Sequence, residues 1–213
     1  VAKRARGMDA PPATAEAVRA ALTEPFEQGL ATERRLFERL VKGEQSQALR
    51  HSFFAEREAQ KVAGLEGIEP RTVARAAVIG AGTMGGGIAM SFAAAGIPVT
   101  IIETSAEALA RGLGRVEANW RRSVRSGRMT DEEVSRRLGL IHGTTDLADI
   151  RDADLVIEAV FEDMEVKRGV FRELDRLAKP GAVLATNTSY LDVDAIAGAT
   201  SRPGEVLGMH FFS

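Results

Sequence analysis

The stretch that decides the fold runs from residue 78 to residue 88 and reads Val78-Ile79-Gly80-Ala81-Gly82-Thr83-Met84-Gly85-Gly86-Gly87-Ile88. An apolar run at residues 74–79 leads into this turn, and a helical apolar pattern follows it and ends at Gly96. A second apolar run, residues 97–102, then ends at Glu103. This order predicts a complete β-α-β unit with an acidic residue about 20 positions beyond the turn.

Each part of the turn has a physical task in binding a dinucleotide. Gly80 lets the strand turn sharply into the helix, Gly82 lets a pyrophosphate approach the backbone, and Gly85 lets the helix pack closely on the strand. The first-turn N–H groups, those of Thr83 and Met84 among them, lie at the positive end of the helix dipole and can hold phosphate oxygens. The alternative is a tight turn that binds nothing, which the complete β-α-β context disfavours.

Glu103 distinguishes the two nicotinamide cofactors. At the carboxyl end of the second strand its carboxylate can accept hydrogen bonds from an adenosine ribose, and its charge would repel a 2′-phosphate. Thr104 and Ser105 bring no arginine to offset that repulsion. The sequence therefore predicts NAD rather than NADP.

The composition argues against several classes of function. The formal net charge of −2 disfavours a nucleic-acid or membrane-surface role. The absence of cysteine excludes a disulfide scaffold and a thiolate zinc site, and His51 and His142 have no clustered ligand partners, so we expect no metal. No stretch approaches the roughly 18 consecutive apolar residues of a membrane-spanning helix.

The pattern along the chain divides it into three parts. Residues 1–63 have apolar residues at helical spacing with breaks near Pro25 and Gly43, and residues 64–73 are typical of a linker. Strands and helices alternate over residues 74–213, with further strands expected at residues 140–144, 153–159, 182–186 and 206–212. This alternation predicts an α/β fold, a Rossmann-type doubly wound and mostly parallel sheet preceded by an all-helical segment.

Three later segments, each at the carboxyl end of an expected strand, narrow the function. They are Ile157-Glu158-Ala159-Val160-Phe161-Glu162-Asp163 with Lys167, then Thr186-Asn187-Thr188-Ser189, and then Gly208-Met209-His210-Phe211-Phe212. Together with the glycine turn they resemble, over residues 74–213, the NAD-binding domain of the L-3-hydroxyacyl-CoA dehydrogenase family. The resemblance implies an NAD-dependent enzyme that oxidises 3-hydroxyacyl-CoA to 3-ketoacyl-CoA in fatty-acid β-oxidation.

The resemblance assigns the reacting groups to three residues. His210 matches the family's catalytic base, a role that suits an imidazole titrating near neutrality; on pattern alone it reads as a core histidine on an apolar strand. Ser189 matches the serine that hydrogen-bonds the reacting oxygen or the nearby nicotinamide, and its alternative role is a helix cap. Asn187, in the same loop, is expected to brace the backbone or the histidine.

The resemblance also adds cofactor contacts beyond the glycine turn. The backbone of Val160 and Phe161 is expected to flank the cofactor. Glu162 is expected near the nicotinamide ribose, and Lys167 near the cofactor or CoA phosphates; the alternative is a solvated acid–lysine pair at the start of a helix. Ser213 stands where the family usually has an asparagine that contacts cofactor or substrate, and its hydroxyl can replace only one of that amide's hydrogen bonds.

A helical region at residues 106–137 resembles the family's tail that helps to bind CoA, which makes an acyl-CoA the expected partner. Its arginines suit CoA phosphates, although a solvated helix face is the alternative for each of them. They are Arg115, Arg121, Arg122, Arg125 and Arg128.

Residues 1–63 extend the resemblance to multifunctional β-oxidation enzymes, in which the last helices of a crotonase-type enoyl-CoA hydratase domain lead into the dehydrogenase. We therefore expect an internal fragment that binds NAD without full turnover, from an enzyme that forms an oligomer or a thiolase complex. The expected location is the cytoplasm for a bacterial protein and the mitochondrion or peroxisome for a eukaryotic one. The alternatives are a dehydrogenase of small β-hydroxy acids and a non-catalytic NAD-binding module.

Overall fold

The computed structural model describes residues 5–65 and 67–212, and the chain divides between Glu69 and Pro70 into two compact units. The described part of the first unit is helical: α1 (Ala10–Thr23), α2 (Phe26–Lys42) and α3 (Glu44–Ala59). Pro25 precedes α2 and Gly43 separates α2 from α3, so both expected breaks are confirmed.

Helices α1 and α2 are in contact at Gly29. A Cβ at Gly29 would lie 3.5 Å from the carbonyl oxygen of Ala20. Ala13, Ala20 and Leu36 are buried nearby. Many other apolar side chains of this unit are exposed, and several of them line a cavity of about 920 Å³. They include Phe37, Leu49, Phe53 and Phe54.

The second unit alternates strands and helices from Ala76 onward. Its elements are β1 (Ala76–Ile79), α4 (Thr83–Ala94), β2 (Val99–Ile102), α5 (Ala106–Arg125), α6 (Asp131–Leu138), β3 (Ile141–Thr144), β4 (Leu155–Glu158), α7 (Met164–Leu177), β5 (Val183–Thr186), α8 (Val193–Ala197) and β6 (Val206–Gly208). Short 3₁₀ helices occupy Leu147–Ile150 and Pro203–Glu205. Within the described residues, no helix is long and apolar enough to cross a membrane.

The strands form a six-stranded parallel sheet in the order β3-β2-β1-β4-β5-β6. Helices cover both faces: Ile88 and Ala89 of α4 pack on one face, and Phe171 and Leu174 of α7 pack on the other. The predicted Rossmann-type sheet is confirmed. The strand order reverses direction between β1 and β4, the switch point at which such sheets bind ligands.

The last strand is shorter than its sequence pattern predicts. The apolar run suggests a strand over residues 206–212, but the ladder ends at Gly208. The N–H of Met209 still donates to the carbonyl oxygen of Thr186 at 2.9 Å, and the N–H of Phe211 then donates to Asn187 Oδ1 at 2.6 Å. A side-chain acceptor thus draws the chain out of the sheet and carries it across the carboxyl edge.

Asp154, just before β4, fixes the opposite edge of the sheet. Its Oδ2 accepts the N–H groups of Ala74 and Arg75 at 2.8 and 2.9 Å, and its Oδ1 pairs with Lys179. The hydrogen bond from Lys179, followed by the two backbone N–H bonds, lowers the pKa of Asp154 to about 2 from an ordinary 3.8. These contacts join the segment before β1 to β4 and to the chain that follows α7.

We predict that Asp154→Asn lowers the free energy of unfolding by about 1–2 kcal/mol at pH 7, a value reduced for partial solvent screening. Because the folded pKa is depressed, this stability is present above the ordinary pKa of 3.8 and is lost as the pH falls through about 2. Urea unfolding of both proteins between pH 7 and pH 2 measures the difference. Asp152→Asn, at an exposed acid two residues earlier, is the control. A gap between Asp154→Asn and wild type that is independent of pH would contradict the prediction.

Candidate dinucleotide and proton-transfer site

The turn after β1 fits together only because two glycines lack side chains. Gly80 has a φ of +100°, a conformation that disfavours other residues, and a Cβ there would lie 2.8 Å from the carbonyl oxygen of Ala159. A Cβ at Gly85 would overlap the carbonyl oxygen of Gly80. Helix α4 therefore begins directly against β1 and beside the loop that follows β4.

The start of α4 has the features of a phosphate cradle. Gly82 and Thr83 are exposed, and a Cβ at Gly82 would point into open space, with no atom within 4 Å. Among the described residues, no side chain caps this helix, so the N–H groups of its first turn are free to receive an anion. A pyrophosphate would fill the space and satisfy these donors, so the residues fit a dinucleotide.

Helix α5 supports the same turn through Gly112 and Arg115. A Cβ at Gly112 would lie 2.6 Å from the carbonyl oxygen of Ala81, so α5 touches the turn directly. Arg115 Nη2 donates to that same carbonyl oxygen at 2.7 Å. The sequence does not distinguish Gly112 from Gly114 in the same helix. Only the structure shows that Gly112 contacts the turn, whereas a Cβ at Gly114 would meet nothing within 4 Å.

Glu103 lies beside the turn, as expected from its place at the end of β2. Its Oε1 accepts the N–H of Ala81 at 3.0 Å and its Oε2 accepts the N–H of Thr104 at 2.9 Å. Glu103 lines a cavity of about 580 Å³, together with Gly80, Gly82, Thr104, Val160, Phe161 and others. A carboxylate has about four acceptor positions, so Glu103 keeps capacity for a ribose in this cavity.

Ser189 and His210 come together at the carboxyl edge although they follow different strands. Ser189 Oγ lies 3.3 Å from His210 Nε2, and both residues are exposed. The chain that leaves β6 brings the imidazole over the loop after β5. His210 is therefore not a core histidine, and its ring contacts that of Phe212 in a tilted arrangement, with ring centroids 4.3 Å apart and planes inclined by 42°.

Asn187 and Gly87 hold the segment that carries this histidine. Asn187 Oδ1 accepts the N–H of Phe211, which is the bracing of the backbone expected for Asn187. The Phe211 ring rests on α4 at Gly87, where a Cβ would lie 3.0 Å from the ring. The sequence signal for this contact is the run Gly85-Gly86-Gly87, which indicates close packing but not that the Phe211 ring packs there.

Lys167 lies elsewhere than the resemblance implies. Its side chain is 1% exposed, and its Nζ lies 2.7 Å from Glu158 Oε1 and 3.2 Å from Glu162 Oε2. With its donors directed at two carboxylates, Lys167 cannot present its charge to a phosphate in this arrangement. The alternative of a solvated Glu162–Lys167 pair also differs from the structure, because the Lys167 side chain is buried.

Glu162 faces the loop after β5 and remains partly accessible, with 28% of its side chain exposed. Its Oε1 accepts the N–H of Ser189 at 2.8 Å and the hydroxyl of Thr188. Burial raises the pKa of the Glu162 carboxyl, but hydrogen bonds from Thr188, Ser189 and Lys167 outweigh this effect and leave the pKa below its ordinary value. Glu162 is thus held as a carboxylate at the edge of the site.

Two further expectations concern Ser213 and the arginines of residues 106–137. Ser213 lies outside the described residues. On α5, Arg121 pairs with Glu117 and Asp131, whereas Arg115 contacts the turn. Binding of CoA by the arginines of this region stays a prediction. Within residues 5–65 and 67–212, no cluster of histidine and acidic side chains could hold a metal ion.

Several proteins resemble this chain in sequence. The peroxisomal bifunctional enzyme of Danio rerio is 45% identical over 218 residues, which cover 100% of this chain and 30% of that protein. The fatty acid oxidation complex subunit alpha of Shewanella amazonensis is 38% identical over 199 residues, or 93% of this chain and 28% of that protein. The chain thus spans under a third of the length of these relatives.

Solved structures match about two thirds of the chain. FadB2 from M. tuberculosis has a TM-score of 0.66 at 46% identity, covering 67% of this chain and 50% of that one. The 3-hydroxybutyryl-CoA dehydrogenase of Escherichia coli has a TM-score of 0.65 at 40% identity, covering 67% and 30%. The family described as 3-hydroxyacyl-CoA dehydrogenase, NAD binding domain, matches residues 75–213. This match spans more than half of the chain, and the chain therefore belongs to that family of NAD-binding domains.

Proposed function

We propose that this chain binds NAD across its glycine turn and supplies the proton acceptor for oxidation of a 3-hydroxyacyl-CoA. The observation that carries the proposal is the pairing of Ser189 with His210, 3.3 Å apart, at the same sheet edge as the phosphate cradle. Family membership supports the cofactor. The name of the E. coli neighbour supports a 3-hydroxyacyl thioester as the substrate class.

The chain's own groups account for the proton in this reaction. In this proposal Ser189 Oγ donates a hydrogen bond to the substrate oxygen and His210 Nε2 takes the hydroxyl proton. The 3.3 Å separation of these two atoms supports the assignment. When bound, NAD supplies the acceptor for the hydride that leaves C3. Loss of the proton to His210 and of the hydride from C3 converts the alcohol into the 3-keto group.

We further infer that the chain works within a larger β-oxidation enzyme. The match to the Danio rerio enzyme covers the whole chain, whereas the dehydrogenase family match begins at residue 75, so the helical unit is shared with the bifunctional enzyme. This supports residues 1–63 as helices that join a crotonase-type hydratase domain to the dehydrogenase through a linker at 64–73. We also propose that this larger enzyme forms an oligomer or a complex with a thiolase.

We also propose a cellular location, based on the names of relatives. Names of relatives include peroxisomal and bacterial enzymes. They support a peroxisomal location for a eukaryotic source. A mitochondrial location for such a source, and a cytoplasmic one for a bacterial source, are further parts of the proposal.

We predict that His210→Gln lowers kcat for reduction of acetoacetyl-CoA by NADH about 10²- to 10⁴-fold, because the proton-transferring group is lost. The assay uses the complete protein that carries this chain. The NADH dissociation constant of the variant, from fluorescence titration, is expected to stay within about threefold of wild type, since in the described part of the chain the His210 side chain makes no hydrogen bond to the first turn of α4. A wild-type protein that binds NADH but does not reduce acetoacetyl-CoA would overturn the dehydrogenase proposal.

Glu103→Ala is predicted to weaken NADH binding about tenfold or more, because a charged acceptor for the ribose is removed. The preference for NADH over NADPH should narrow, since the carboxylate no longer repels a 2′-phosphate. Calorimetry with both cofactors measures these effects. Glu107→Ala, which removes an acid from the first turn of α5, is the control. Equal NADH affinities in Glu103→Ala and wild type would refute the ribose contact.

Gly112→Ala tests the support that α5 gives to the turn. The added methyl group would overlap Ala81, so the turn must shift, and we predict that NADH affinity falls about tenfold or more. Gly114→Ala adds the same methyl group to the same helix in open space, and should leave NADH affinity unchanged while raising stability by about 0.5–1 kcal/mol. The contact between α5 and the turn has no role in binding if both variants keep wild-type affinity.

A further inference from the structure

A buried ion pair lies directly beneath the two loops that carry the site. Lys167 Nζ lies 2.7 and 2.9 Å from the two oxygens of Glu158, and the two side chains are 1% and 0% exposed. Burying both partners of such a pair carries a desolvation cost that their attraction often fails to offset. Stability alone therefore does not account for charged residues at this position.

Glu158 also accepts two hydrogen bonds that fix the surrounding backbone. Its Oε1 accepts the N–H of Val160 at 2.8 Å, which ties down the start of the loop after β4. Its Oε2 accepts the hydroxyl of Thr186 at 2.7 Å, which ties β4 to the end of β5. The starts of both loops that border the site are thus hydrogen-bonded to the buried Glu158 carboxylate.

Lys167 continues the connection to the reacting serine. Its Nζ also lies 3.2 Å from Glu162 Oε2, and Glu162 in turn accepts the N–H of Ser189 and the hydroxyl of Thr188. A continuous series of charge-assisted contacts therefore runs from Glu158 through Lys167 and Glu162 to the serine that faces His210.

We propose that Glu158 and Lys167 are positioning residues, a buried pair that holds Glu162 against the Ser189 loop and so sets the distance from Ser189 Oγ to His210 Nε2. This inference rests on the proposed function for its catalytic meaning, but the geometry it describes exists in the unliganded chain. It assigns Lys167 a role in orienting the site rather than in contacting phosphate.

The test replaces both charges together with uncharged residues of similar shape, Glu158→Gln with Lys167→Met. We expect the Ser189 amide to exchange with solvent at least about tenfold faster, because Glu162 loses its cation and releases that N–H. The NMR signals of the His210 ring are expected to shift, while those of His51 and His142 stay in place. Hydrogen exchange and imidazole NMR on the 213-residue chain give both readouts.

A second acid–lysine pair supplies the matched control. Asp154 and Lys179 lie at the other end of β4 and after the other end of α7. Asp154→Asn with Lys179→Met should lower thermal stability and leave Ser189 exchange and the His210 signals as in wild type. Unchanged readouts in the Glu158/Lys167 variant, or equal changes in both double variants, would overturn the proposal.

Thr188→Val decides the matter if the Glu158/Lys167 variant does not fold. It removes the hydroxyl that Glu162 accepts, which also accepts the N–H of Leu191. It should speed Ser189 exchange, and unchanged exchange would count against the proposal. None of these readouts needs turnover. Failure of the wild-type enzyme to reduce acetoacetyl-CoA would therefore overturn the proposed function without affecting this test.

Discussion

The contact between the backbone of Gly85 in α4 and the carbonyl group of Gly80 determines where the other groups of the second unit lie. Only hydrogen atoms fit between them, so α4 starts immediately at the end of β1. This brings the first-turn N–H groups of α4 to the carboxyl edge of the sheet, next to the loop after β4. The dinucleotide cavity exists because these two backbones are in contact, and Gly112 of α5 extends the same close packing to the outer side of the turn.

Charge acts differently at the two ends of β4. Asp154 pairs with Lys179 in partial contact with solvent, where backbone N–H groups add to the attraction and the depressed pKa of Asp154 reports a net gain in stability. Glu158 pairs with Lys167 out of contact with solvent, where desolvation opposes the attraction. An acid–lysine pair therefore stabilises the fold at one edge and constrains local geometry at the other, and burial accounts for the difference.

The sequence predicts the sheet because its strands are short apolar runs ending in polar residues, and the fingerprint fixes β1, α4 and β2. It overextends β6, since an apolar pattern cannot reveal that Asn187 captures the N–H of Phe211. It identifies Ser189 and His210 as candidates, but only the fold shows them 3.3 Å apart. Lys167 shows the limit of such reasoning, because a lysine in the first turn of a helix reads as solvated until its buried partner on a neighbouring strand is known.

The run of three glycines in α4 faces three different neighbours, because successive residues of a helix point about 100° apart. Gly85 meets the turn, Gly86 meets Val116 of α5, and Gly87 seats the ring of Phe211. The first-turn N–H groups of α4 and the contact of Gly87 with the Phe211 ring are thus on one helix, about one turn apart. The phosphate cradle and the segment that carries His210 therefore both take part of their position from α4, so that a displacement of this helix would affect both.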